Sequence, residues 1–132
     1  MSEDKIKSEA EIIFPEAKVG DIIVKPWSFG KLFEILESLD SVLDKADEKG
    51  ILEQLEVGIT GGMLSYITLM RLFAVARNEI LDIIAKTTDT DIEKIKSLST
   101  DEGIKLVMVI FRQNKEVIMN SVKNALSTPS EK

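Results

Sequence analysis

Residues 63–86, MLSYITLMRLFAVARNEILDIIAK, constrain this chain more than any other stretch. The first half is apolar on nearly every side, from Met63, Leu64 and Tyr66 through Ile67, Leu69, Met70, Leu72 and Phe73 to Ala76. The second half thins to a stripe of Ile80, Leu81, Ile83 and Ile84 against Arg77, Asn78, Glu79 and Asp82. A helix apolar all round is enclosed by its neighbours, and one with a stripe lies on a surface. The segment is therefore expected to enter the core and then run out along its edge. At 1.5 Å per residue it would be about 36 Å long, roughly the width of a small domain. It reads as the central helix, with Phe33, Leu36, Ile67, Met70, Phe73, Ile84 and Phe111 expected to be largely buried.

The totals fit one domain of this kind. A chain of 132 residues buries roughly two-thirds of its unfolded surface. With 44% apolar and 30% charged residues, the balance is that of a globular protein rather than a disordered one. A net charge of -6, with lysines interleaved among acids, argues against nucleic acid, which needs clustered cations. Cysteine and histidine are absent. Their absence removes disulfides, a thiolate nucleophile, sulfur-rich metal sites and the commonest general base. The first residues hold no apolar signal core, so a cytoplasmic location is expected. Residues 57–70 are uncharged, but a membrane span needs about 20 apolar residues and Gly58, Gly61 and Gly62 shorten the helix further. No membrane is expected as a partner.

Taken in order, residues 1–9 read as a flexible tail, followed by a single helical domain over residues 10–126. A hairpin is expected over 11–25, with strands Ile12-Ile13-Phe14 and Ile22-Ile23-Val24 and a turn signal at Gly20-Asp21. Pro26 holds Lys25 extended, and Ser28 is a plausible N-cap for a helix near 28–46 that carries Leu32, Phe33, Ile35, Leu36, Leu39, Val42 and Leu43 at helical spacing. Further helices are expected near 51–57, 63–86, 91–98 and 100–126, and residues 127–132 read as a second flexible tail. Thr90 to Glu93 and Ser99 to Glu102 have the form of capping boxes. The fold class is mainly α, a helical domain with a short N-terminal β hairpin.

Motifs that would carry chemistry weaken when set beside plainer readings. The run Gly58-Ile59-Thr60-Gly61-Gly62 lacks the Lys-Ser/Thr ending of a phosphate-binding loop, with Met63 and Leu64 standing there instead. Asp89, Asp91, Glu93, Asp101 and Glu102 fall at helix starts, where negative charge caps amides and favours the macrodipole. No catalytic, metal-ligating or cofactor-binding residue is assigned, and an enzyme is not expected. The last helix carries a broad apolar stripe, Ile104, Val107 or Met108, Phe111, Ile118, Val122 and Ala125, with Asn114 set inside it. Asn114 either meets a backbone group or specifies a partner, as polar residues do in coiled-coil seams; the first reading is the more economical. Trp27 either covers the helix start as a staple or anchors an interface. Trp27, Phe33, Phe111, Asn114 and Ile118 are the partner-binding candidates. The hairpin edge, unguarded by charge, also suggests a weak homo-oligomer.

Two segments together resemble the tail assembly chaperones of long-tailed bacteriophages. The first is Val24-Lys25-Pro26-Trp27-Ser28-Phe29-Gly30-Lys31-Leu32-Phe33-Glu34-Ile35-Leu36, similar to that family's hairpin, extended Lys-Pro-like link and leucine-rich helix. The second is Leu98-Ser99-Thr100-Asp101-Glu102-Gly103-Ile104-Lys105-Leu106, continuing to Asn114. Where family members often carry an aromatic pair after the Asn, this chain has Lys115, Glu116, Val117 and Ile118. The resemblance implies a non-enzymatic protein that binds and shields the tape-measure protein during tail assembly and helps recruit tail-tube subunits. A small helical regulatory or adaptor protein of another partner is the alternative.

Overall fold

A computed structural model of the protein describes residues 16–61 and 65–127. These residues form a two-stranded antiparallel hairpin and six helices, so the protein is mainly α with a short N-terminal hairpin. The hairpin pairs β1, Ala17–Val19, with β2, Ile22–Val24, placing Val19 opposite Ile22 and Ala17 opposite Val24. The turn is the expected Gly20-Asp21, and Gly20 adopts φ 62°, a conformation open to glycine because it has no Cβ. A two-residue loop fixes the register, so the partner of Ile22–Val24 is Ala17–Val19 and not a strand several residues earlier. The expected strand at Ile12-Ile13-Phe14 lies outside the described residues, as do the tail over 1–9, Met63, Leu64 and residues 128–132. Val19, Ile22 and Val24 point into the core while Lys18 and Ile23 face outward, the period-two alternation of a half-covered strand pair.

Helix α1, Phe29–Glu48, begins where expected: the Lys31 amide donates to Ser28 Oγ at 3.1 Å. It ends by donation from Gly50 N–H to the Asp47 carbonyl and from Ile51 N–H to the Ala46 carbonyl, a Schellman closure with Gly50 at φ 73°. Helix α2, Leu52–Thr60, buries Leu52, Leu55 and Ile59. Helix α3, Tyr66–Thr88, starts on Ser65, whose hydroxyl accepts from the Thr68 amide at 3.1 Å. Its helical path breaks at the fully buried Ala76, φ -135° and ψ 37°. Alanine is the best helix former, so tertiary contacts, not local preference, impose this break.

Helix α4, Ile92–Lys96, is shorter than expected and is capped by Asp91, which accepts from the Glu93 amide. Thr90 does not cap it; the Thr90 hydroxyl donates to the Thr88 carbonyl instead. Helix α5, Thr100–Gln113, is capped by Ser99 through the Glu102 amide. The single helix expected over 100–126 is two, because α5 stops at Asn114 and α6 spans Lys115–Ser127.

Helix α3 organises the rest: it lies along α1 over the largest contact and also meets α4, α5 and β2, while α2 rests on α6. Three core expectations fail. Phe33, Leu36 and Ile67 are 63%, 38% and 66% exposed, because α1 meets α3 through Ile35, Leu39, Val42, Leu43 and Ala46. Likewise, α3 opens by burying only its Thr68, Leu69 and Leu72 side. Met70, Phe73 and Phe111 are half-buried and Ile84 is buried.

Candidate interaction surface

Four of the five partner-binding candidates converge, and their contacts are internal. Trp27 sits on the link between β2 and α1. Its backbone N–H donates to Asn114 Oδ1 and its indole N–H to Thr87 Oγ1, both at 2.8 Å. Asn114 is buried, and its Nδ2 donates to the Ile110 carbonyl at 2.9 Å, so its amide meets backbone groups on both sides. Trp27, Phe111 and Ile118, with Leu39, Leu72 and Val122, line an apolar cavity of about 50 Å³ inside the core. Such a space is far smaller than the roughly 300–1,000 Å³ of a small-molecule site, and apolar walls keep it dry. Among the described residues no group of three or more Asp or Glu is placed to hold a metal ion, and no helix is long and apolar enough to cross a membrane.

Phe33 alone of the five is presented outward, and it has company that sequence reasoning missed. Phe29, 77% exposed, meets Phe33 edge to face with ring centroids 4.8 Å apart and planes at 70°, the arrangement the ring quadrupoles favour. Leu36 continues the row one turn on. At 100° per residue, positions 29, 33 and 36 fall within about 60° of one another, roughly a quarter turn from the face that meets α3. This spacing was available in the sequence; what hid it was the overlap with the core-facing leucines. Apolar residues grouped on a surface in this way mark contact sites more often than isolated ones do.

The apolar stripe of the last helix, by contrast, is taken up by the protein's own core: Leu106, Val107, Val109, Ile110, Ile118 and Val122 are buried. An open groove of about 410 Å³ remains beside it, between α3 and the α4–α5 junction, with Phe73, Leu81 and Ile104 inside and Arg77 and Lys96 at the rim.

Ion pairs hold α1 against α3. Glu79 Oε2 accepts from Lys45 Nζ at 2.6 Å and from Ser41 Oγ at 2.9 Å. The Lys45 ammonium holds the Glu79 carboxyl below the usual carboxylate range, outweighing burial, which pushes it up. Lys31 Nζ donates to Asp89 Oδ1 and to the Lys86 carbonyl, both at 2.9 Å, and Asp89 raises the Lys31 ammonium above its usual range. Asp89 itself adopts φ 51° as the chain leaves α3.

Comparison with protein-family models, with curated proteins and with solved structures finds no match to this chain.

Proposed function

We propose that this protein is a non-enzymatic binding module that holds an apolar segment of a larger protein against the outer face of α1. The observation that supports it is the exposed row Phe29, Phe33 and Leu36, three large apolar side chains that the packing of the described residues leaves uncovered. A helix face of this kind engages an amphipathic partner through anchors at i, i+4 and i+7. The resemblance of the Val24-to-Leu36 and Leu98-to-Asn114 segments to phage tail assembly chaperones makes a tape-measure protein the first partner to test, with a tail-tube protein second. The role is then to shield the tape measure until the tail assembles.

Co-expression with a tape-measure protein is the test. The expected result is a soluble, co-purifying complex that is lost when Phe33→Asp is introduced into an otherwise folded protein. A partner that stays insoluble, or a complex indifferent to Phe33→Asp, rejects the reading.

A further inference from the structure

We infer that the α1 face is bipartite and selects an amphipathic helix from another protein, with apolar anchors over Phe29, Phe33 and Leu36 and Lys or Arg over Asp40, Asp44 and Asp47. The inference rests on the proposed function, in which α1 is the contact face. At 100° per residue these six positions lie within about 80° of one another, forming one continuous band along the helix. Its first half is the exposed apolar row. Its second half is three exposed carboxylates, none of which joins an ion pair among the described residues. The neighbouring cation on α1, Lys45, is committed to Glu79, and Lys31 to Asp89.

Those carboxylates work against the helix that carries them. Asp40 and Asp44 are like charges four residues apart, and Asp44 and Asp47 are three apart, spacings at which repulsion destabilises a helix. All three sit in its C-terminal half, and Asp47 lies in the last turn before Glu48, where the macrodipole disfavours negative charge. Lys45 in the last turn and Lys49 at the C-cap favour the helix end, yet no cation among the described residues pairs with Asp40, Asp44 or Asp47, whereas a cationic partner does. A second copy fits poorly. Antiparallel pairing of two such faces sets Phe29, Phe33 and Leu36 against carboxylates, and parallel pairing sets carboxylate on carboxylate. The band from Phe29 to Asp47 is about 27 Å long, so it suits a partner helix of about 18–20 residues.

The test titrates the full-length protein with synthetic helices of about 20 residues. One carries leucines matching positions 29, 33 and 36 and lysines matching 40, 44 and 47; a control replaces the lysines with glutamates. The lysine helix should bind about tenfold or more tightly than the glutamate helix, with affinity falling as salt rises. Phe33→Asp should weaken it about tenfold, and Asp40→Asn with Asp44→Asn and Asp47→Asn should abolish the salt dependence. Equal affinity for both helices, with loss on Phe33→Asp, overturns the charge rule and leaves the binding function standing. A tape-measure protein that fails to co-purify, beside a lysine helix that binds as expected, rejects the partner and leaves the charge rule standing. Light scattering that shows a dimer dissociated by Phe33→Asp makes a second copy the occupant and overturns the inference. Binding that emerges only after Ile12, Ile13 and Phe14 are changed to Ser makes the chain's own N-terminal segment the occupant, which overturns the inference equally.

Discussion

The backbone N–H of Trp27 donates to the side-chain oxygen of Asn114 at 2.8 Å, across 87 residues of sequence. The same Asn114 side chain donates to the Ile110 carbonyl, so one amide both ends α5 and clamps the link that leads into α1. Gln113 reinforces the junction by donating to the Val24 carbonyl at 2.9 Å. Asn114 itself leaves the helical path at φ -120° and ψ 29°, and its carbonyl accepts from the Ile118 N–H, so the residue that clamps the link is also the point at which α5 and α6 part.

Asn114→Ala should therefore cost about 1–3 kcal/mol, since it leaves the Trp27 N–H without its acceptor in a largely dry junction. Urea unfolding followed by Trp27 fluorescence measures it. A change under about 0.5 kcal/mol, the ordinary range for a surface substitution, would contradict the clamp.

Gly50 closes α1 at φ 73° with open space where a Cβ would stand. Gly50→Ala thus meets no clash, and its cost is conformational alone, about 1–2 kcal/mol for a left-handed residue. Thermal unfolding that is unchanged in Gly50→Ala would show that the Schellman closure relaxes freely.

Leu106 is fully buried on α5, and Phe33 stands in solvent on α1. Leu106→Ala should cost about 2–5 kcal/mol through lost burial and a cavity. Phe33→Ala, the larger truncation, should cost no more than about 1.5 kcal/mol in the free protein, the worth of its edge-to-face contact with Phe29. The reverse order in chemical denaturation would place Phe33 in the core after all.

Glu79 couples stability to acid. Its folded-state pKa lies below the ordinary value of 4.5, so its contribution is full above that value and is lost as pH falls through the depressed folded pKa. Denaturation midpoints compared between about pH 6 and about pH 3 should fall less in Glu79→Gln than in the unmodified protein. Equal slopes would mean that the Lys45–Glu79 pair does not persist in solution.

Ser28, Ser65, Ser99 and Gly50 show what short-range chemistry settles. A cap is a hydrogen bond within three residues, and a left-handed glycine ends a helix wherever it stands, so Ser28, Ser99 and the stop near Gly50 were legible from local sequence. The hairpin turn at Gly20-Asp21 was equally local, and the central place of α3 followed from its apolar content, although the helix runs over Tyr66–Thr88 and starts on Ser65. Other features were decided only when elements met. The amide of Asn114 stood out as polar in an apolar stripe, yet its acceptor role toward Trp27 spans 87 residues and leaves no periodic signal. The apolar positions of α1 outnumber the face that α3 can cover, and only their arrangement in space shows that Ile35 and Leu39 go inside while Phe29 and Phe33 stay out. Hydrophobicity determines that a side chain gains by burial; which neighbour arrives to bury it is a property of the assembled fold.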